Sequence, residues 1–160
     1  MRIKGLVDED FVNYRLPSMF IIAPSCSFKC EKESESHCCQ NSELAQREVT
    51  ELDDDAIIAR FIENPITDAI VFGGLEPMDS FNEVYSFIHK LRTEFRCEYD
   101  VVIYTGYTFE ECKKADWLDK LVPLHNVIIK FGRYIPNEKP HYDPTLGVNL
   151  ASGNQYAIRL

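Results

Sequence analysis

Asp68-Ala69-Ile70-Val71-Phe72-Gly73-Gly74 is the stretch of sequence that decides the fold. Its apolar run is short and ends in a glycine pair, which predicts a buried strand followed by a tight turn. A helical pattern follows directly, because Ser80 and Glu83 are spaced as a capping box. The next apolar residues then recur on one face of a helix: Phe81, Val84, Tyr85, Ile88, Leu91 and Phe95.

The same alternation continues on both sides of this strand and helix. Further strand-like runs lie at 18–23, 101–104, 126–131 and 156–160. Helices are predicted between them, one behind the capping candidates Asp53 and Asp54 and one at the second capping box of Thr108 and Glu111. Strands separated by helices pair in parallel through right-handed crossovers. The units are too few for a closed eight-stranded barrel, so we predict an α/β fold of the open, partial (β/α) barrel type with mostly parallel strands.

Length and charge restrict the class of protein. A chain of 160 residues with 45% hydrophobic composition is long enough for one core, so we predict one domain over residues 1–160. Its 26 acidic and 17 basic residues give a net charge of -9, which argues against binding a phosphate backbone. The first ten residues contain charges that interrupt a secretory core, and no apolar run reaches bilayer length. We therefore expect a cytoplasmic protein without a nucleic-acid or membrane partner.

Four of the six cysteines lie close together in a segment with no hydrophobic period, residues 25–41: Cys26, Cys30, Cys38 and Cys39. A loop of this length usually has a function, and thiolates select zinc or iron-sulfur clusters. If only three thiolates bind, a four-iron cluster keeps one iron free for a substrate. The alternative is a zinc site made of Cys26, Cys30, His37 or Cys38, and Cys39. Spacing alone does not separate these two interpretations.

Three unusual segments follow three successive strands of the parallel set. The cysteine segment follows the first strand, Gly73 to Pro77 follows the second, and Tyr104 to Tyr107 follows the third. Ligands of parallel α/β proteins bind at the carboxyl ends of the strands, so we expect the three segments to share one rim. There, Gly73 and Gly74 would let backbone approach a ligand closely, and Thr105-Gly106 is a candidate ligand wall.

These segments together carry a family resemblance. Cys26 to Asn41, Gly73 to Pro77, Tyr104 to Tyr107 and Ser152 to Gln155 resemble the anaerobic ribonucleoside-triphosphate reductase activating proteins, which are radical S-adenosylmethionine (SAM) enzymes. The resemblance spans nearly the whole chain. One departure is Leu75, which is inserted into the glycine-glycine-glutamate-proline motif of the family.

The resemblance implies a set of site residues. The cluster ligands would be Cys26, Cys30 and Cys39, with Cys38 as the alternative third ligand. The usual spacing of three and then two intervening residues here becomes three and then eight, or seven if Cys38 is the ligand. The cofactor-binding residues implied for SAM are Gly73, Gly74, Glu76, Thr105, Gly106 and Asn154.

The resemblance also implies an activity and partners. A 4Fe-4S cluster would cleave SAM reductively, and the resulting radical would take hydrogen from a glycine of the large anaerobic ribonucleotide reductase subunit. A flavodoxin- or ferredoxin-type protein would supply the electron. No side chain is expected to be catalytic, because the cluster and SAM carry the chemistry.

Two alternative functions stay open at the level of sequence. One is a radical SAM enzyme acting on a small molecule, which would be gripped by Arg133, Lys130, His141 or Tyr142. The other is a zinc-stabilised binding module without catalysis.

Overall fold

The computed structural model describes residues 1–160 as a mixed α/β fold around a mostly parallel central sheet. The strands are β1 (Arg2–Ile3), β2 (Gly5–Asp10), β3 (Ser18–Ile22), β4 (Thr50–Glu51), β5 (Ala69–Gly73), β6 (Asp100–Tyr104), β7 (Val127–Phe131), β8 (His141–Asp143), β9 (Val148–Leu150) and β10 (Tyr156–Arg159). The α-helices are α1 (Lys29–Ser34), α2 (Ser42–Ala45), α3 (Asp54–Glu63), α4 (Phe81–Thr93), α5 (Phe109–Lys114) and α6 (Trp117–Leu121). Two 3-10 turns span Pro77–Ser80 and Val122–Leu124. No helix combines the length and the apolar character needed to cross a bilayer.

The central sheet has six strands in the order β10-β7-β6-β5-β3-β2. The four inner strands are parallel, and their register aligns Ile21, Phe72, Ile103 and Ile129 in one row. The predicted parallel pairing is confirmed for these strands. The outer strands β2 and β10 pair antiparallel, and they leave the sheet open with two edges. Curvature of this sheet into a partial barrel stays a prediction.

The core lies on both faces of the sheet because successive strand residues point to opposite sides. On one face, Ile70 and Phe72 pack in a cluster of 24 buried residues with the apolar sides of α3 and α4. On the other face, Val71 belongs to a smaller cluster of seven that includes Tyr14 and Leu146. The second face of the sheet is therefore covered by loop residues such as Tyr14 and Leu146, and by Leu150 of β9, and no helix packs on it.

One of the two predicted capping boxes is confirmed. The Thr108 hydroxyl accepts a hydrogen bond from the Glu111 backbone N–H at 3.2 Å, and the Glu111 carboxylate accepts one from the Thr108 N–H at 2.9 Å. The box of Ser80 and Glu83 is wrong, because the Ser80 side chain makes no capping hydrogen bond. The Glu83 carboxylate instead accepts a hydrogen bond of 2.8 Å from Nε of Arg2, which lies 81 residues away along the chain.

The cysteine segment, predicted as a loop, contains a short helix. Residues 25–41 contain the six-residue helix α1, which begins after Phe28 (φ 52°) and ends before Glu35 (φ 50°). Both flanking residues have left-handed backbone, which confines the helix to little more than one turn. A helix this short with no buried residue has no hydrophobic period, so the sequence pattern could not reveal it.

Candidate metal centre

The loops that follow β3, β5, β6 and β7 border one cleft of about 490 Å³. The expected shared rim is therefore present. Seven of the residues singled out from sequence line this cleft: Cys26, Cys30, Cys39, Gly74, Glu76, Thr105 and Gly106. Lys130 and Arg133 line it as well, whereas His141 and Tyr142 do not.

Three other candidates lie outside the cleft lining: Gly73, Cys38 and Asn154. The Cys38 sulfur lies 3.2 Å from the Ser34 hydroxyl. Asn154 lines a neighbouring cavity, and its side-chain amide donates a 2.8 Å hydrogen bond to the backbone carbonyl of Arg133. In this position Asn154 supports the loop after β7.

Packing explains the glycine pair. A Cβ at Gly73 would lie 3.1 Å from the ring of Phe20, and a Cβ at Gly74 would lie 3.0 Å from the Ile22 side chain. Gly74 also has φ +73°, which side-chain-bearing residues rarely adopt. Close packing against β3 therefore favours glycine at both positions, and the backbone conformation favours it further at Gly74, whether or not a ligand approaches them.

The cysteine thiols of the cleft are free and partly buried. Burial raises the pKa of Cys26 to about 12 and that of Cys30 to about 11. The neighbouring Cys39 and Cys38 also raise the pKa of Cys30, so these thiols lie within electrostatic range of one another. The raised pKa values keep Cys26 and Cys30 protonated at neutral pH, and a bound metal must displace those two protons.

The donor set of the cleft consists of soft thiols, a ligand type that iron-sulfur clusters use. Three soft thiols line one cleft, but no group of three or more His, Cys, Asp or Glu side chains converges as the ligands of one ion would. The thiolates of a four-iron cluster surround a larger group and therefore stand farther apart than the ligands of a single ion. His37, the alternative to Cys38 as a ligand in the zinc interpretation, is fully exposed, and its Nδ1 lies 3.7 Å from the Glu31 carboxylate.

Glu76 is a buried carboxylate that joins the ends of β5 and β6. Its Oε1 accepts hydrogen bonds from the Thr105 hydroxyl at 2.6 Å and the Met78 N–H at 3.1 Å. Its Oε2 accepts one from the Gly106 N–H at 2.8 Å. Burial raises the pKa of Glu76 to about 7 in spite of these three donors. Thr105 and Gly106, predicted as ligand wall, therefore also hold this carboxylate in place.

Lys130 is a buried cation in the same cleft, on strand β7. Its ammonium donates one hydrogen bond, of 2.8 Å, to the Gly132 carbonyl. Burial lowers the pKa of Lys130 to about 8, and the charge of Glu76 opposes that shift. Two of the three ammonium protons have no acceptor in the chain, which leaves them available to an anionic group in the cleft.

Sequence reasoning missed the carboxylate that holds the cysteine segment beside Cys26. Asp79 Oδ2 accepts a 2.6 Å hydrogen bond from the Ser27 N–H, and its Oδ1 accepts one of 2.6 Å from the Tyr107 hydroxyl. Asp79 lies in the 3-10 turn after Glu76. Its only signal in the sequence was its place just after the glycine-rich segment.

Comparison with known proteins agrees with this cysteine-lined cleft. Residues 17–155 match the model of the family described as a 4Fe-4S single cluster domain. Because the match covers most of the chain, the chain belongs to that family, and a 4Fe-4S cluster is supported as its cofactor. No curated protein and no solved structure matches the chain.

Proposed function

We propose that the chain is a radical SAM activase that generates a glycyl radical on a partner anaerobic ribonucleotide reductase. One observation carries the proposal: three cysteines of an iron-sulfur family line the same cleft as the segments that resemble the SAM-binding motifs of such activases. When bound, the 4Fe-4S cluster would supply the electron that breaks the bond between the sulfonium sulfur and C5′ of SAM.

Cys26, Cys30 and Cys39 would hold the cluster. Three protein ligands leave one of four irons without a side chain, which allows a small molecule to bind there, much as an open position does in a catalytic zinc site. Cys39 lines the cleft and Cys38 does not, so Cys39 is the better third ligand. The cleft volume of about 490 Å³ lies within the range of about 300–1,000 Å³ typical of small-molecule sites.

Glu76 and Lys130 would orient the methionine end of SAM. Three donors occupy the Glu76 carboxylate, and an ionised carboxylate can accept about four. One acceptor position therefore stays free for an ammonium group. The two free protons of the Lys130 ammonium suit a carboxylate. Opposite charges in one partly enclosed cleft thus match a zwitterionic amino acid group.

An apolar rim beside the cleft suits a protein partner. Val12 borders the cleft with 73% of its surface exposed, and the adjacent Phe11 is 64% exposed. Large exposed apolar side chains side by side are typical of interaction sites. We propose that the glycine segment of the reductase docks at this rim.

The test begins with anaerobic reconstitution with iron and sulfide. SAM and a low-potential reductant should then yield 5′-deoxyadenosine, and added cognate reductase should show a glycyl radical by electron paramagnetic resonance. Cys30→Ala should abolish both signals, whereas Cys97→Ala, at a buried cysteine of the main core, should keep them. Absence of 5′-deoxyadenosine from the iron-loaded chain would contradict the proposal.

A radical SAM enzyme acting on a small molecule is the second candidate. Of the four residues expected to grip such a substrate, Lys130 and Arg133 line the cleft. Formation of 5′-deoxyadenosine without a radical on the reductase would favour this function.

A further inference from the structure

The helix that carries Cys30 has no apolar anchor. Helix α1 spans six residues and none of them is buried. Isolated helices shorter than about 12 residues are not stable in water. Contacts from other elements must therefore keep this helix formed and keep Cys30 at the cleft.

Charged side chains supply those contacts. Glu111 Oε1 accepts a 2.7 Å hydrogen bond from Nη2 of Arg133 and lies 3.3 Å from Nζ of Lys29, at the start of α1. Nε of Arg133 lies 3.1 Å from Glu33, near the end of α1, as an ion pair without hydrogen-bond geometry. The Lys29 ammonium also lies 4.1 Å from the centre of the Tyr107 ring.

The inner members of this ion-pair network are well fixed. The Arg133 side chain is only 10% exposed, whereas Glu33 is 61% exposed. Exposed ion pairs contribute little, so the Glu111 and Arg133 pair is the stronger part. The second oxygen of Glu111 is held by the Thr108 N–H at 2.9 Å, and the Arg133 carbonyl is held by Asn154.

We propose that Glu111 and Arg133 are positioning residues that hold α1 against the cleft, so that the Cys30 thiol stays where a cluster can bind it. The inference rests on the proposed function. Glu111 and Arg133 together contact both ends of α1. This anchor of the lengthened cysteine segment is separate from Asp79, which holds the segment beside Cys26.

The test uses Glu111→Gln with Glu110→Gln as its matched control. Glutamine can still accept the hydrogen bond from Thr108, so the start of α5 is kept while the charge is lost. Glu110 is the preceding residue of the same helix and forms no ion pair within the chain. Lys29→Gln is the second variant, because it removes an outer partner from a partly exposed position with little risk to folding.

Two measurements are made on each variant. In the cofactor-free chain, trypsin should cleave after the exposed Lys32 about fivefold faster in Glu111→Gln, with a smaller increase in Lys29→Gln. In the reconstituted chain, iron should pass to a ferrous chelator about tenfold faster in Glu111→Gln. Glu110→Gln should match the wild type in both.

Equal cleavage of Glu111→Gln and the wild type would overturn the inference, as would faster cleavage with unchanged iron loss. A wild-type chain that holds no iron would instead overturn the proposed function. The proteolysis comparison would then still decide whether Glu111 holds α1.

Discussion

The Thr105 hydroxyl donates a 2.6 Å hydrogen bond to the buried carboxylate of Glu76, joining the loops after β6 and β5. This bond ties together two of the three segments that border the cleft. Because Glu76 also binds the Gly106 N–H, the carboxylate serves the architecture of the cleft as well as any ligand. Its protonation should therefore influence the stability of the fold.

The pH dependence of stability should change in Glu76→Gln. The pKa of Glu76 rises from 4.5 to about 7 in the folded chain, so between these values the folded state binds a proton that the unfolded state lacks. The stability supplied by this group is present at low pH and is lost as pH rises through about 7. The free energy of unfolding of the wild type relative to the variant should fall by about 3 kcal/mol over that window. Urea unfolding of the cofactor-free chains measures it, and a difference independent of pH would contradict the assignment.

Lys130→Met should stabilise the cofactor-free chain at neutral pH. Burial lowers the pKa of Lys130 from 10.5 to about 8, so the charged form destabilises the folded state below that pH. The Gly132 carbonyl keeps a second donor, the Gln155 side-chain amide at 3.2 Å. We expect a gain of about 2 kcal/mol at pH 7.

The gain from Lys130→Met should shrink as pH rises from about 8 to 10.5, because the wild-type lysine then becomes neutral in both states. Lys139→Met, at an exposed lysine, is the control and should change stability little. A less stable Lys130→Met chain at pH 7 would show that the ammonium has a partner within the fold. The same variant should also cleave SAM more slowly, since the cleft then lacks its buried cation.

Asp79→Asn should weaken the other anchor of the cysteine segment. Asparagine keeps one acceptor oxygen, so one of the contacts from Ser27 and Tyr107 is lost. We expect a destabilisation of about 1 kcal/mol and faster transfer of iron to a chelator. Asp119→Asn, at an exposed aspartate of α6, provides the comparison. Iron loss equal in the two variants would mean that Asp79 does not position Cys26.

Single substitutions should show which of the adjacent residues Cys38 and Cys39 is the third cluster ligand. Cys39 lines the cleft, whereas the Cys38 sulfur lies beside the Ser34 hydroxyl. Cys39→Ala should therefore lose most of the iron, and Cys38→Ala should retain it. Iron analysis after anaerobic reconstitution gives the answer. The reverse result would make Cys38 the third ligand. The residues after α1 would then have to rearrange so that the Cys38 thiol enters the cleft.

The sequence predicted the inner sheet because each strand is a run of buried residues bounded by turn signals. Ile70 and Phe72 are such residues, and their neighbours in space follow from the alternation of strands and helices. The same alternation brought the cysteine segment, Glu76 and Thr105 to one rim. The edge strand β2 was missed because Gly5–Asp10 carries charges and no regular apolar alternation.

Contacts between distant residues account for most of what the sequence could not predict. Glu83 was spaced for a helix cap, but the guanidinium of Arg2 binds it, and no local pattern contains that pair. Likewise, Glu111 was predicted only as a cap, although it also binds Arg133. The role of Gly73 was assigned to ligand approach because the ring of Phe20, which fills the space beside it, comes from another strand.

The most direct test of the central claim is the metal content of the wild-type chain after anaerobic reconstitution. We expect about four iron and four sulfide per chain, in line with the 4Fe-4S family, and a fall to background in Cys26→Ala, Cys30→Ala and Cys39→Ala. A chain that binds stoichiometric zinc and no iron or sulfide would contradict it.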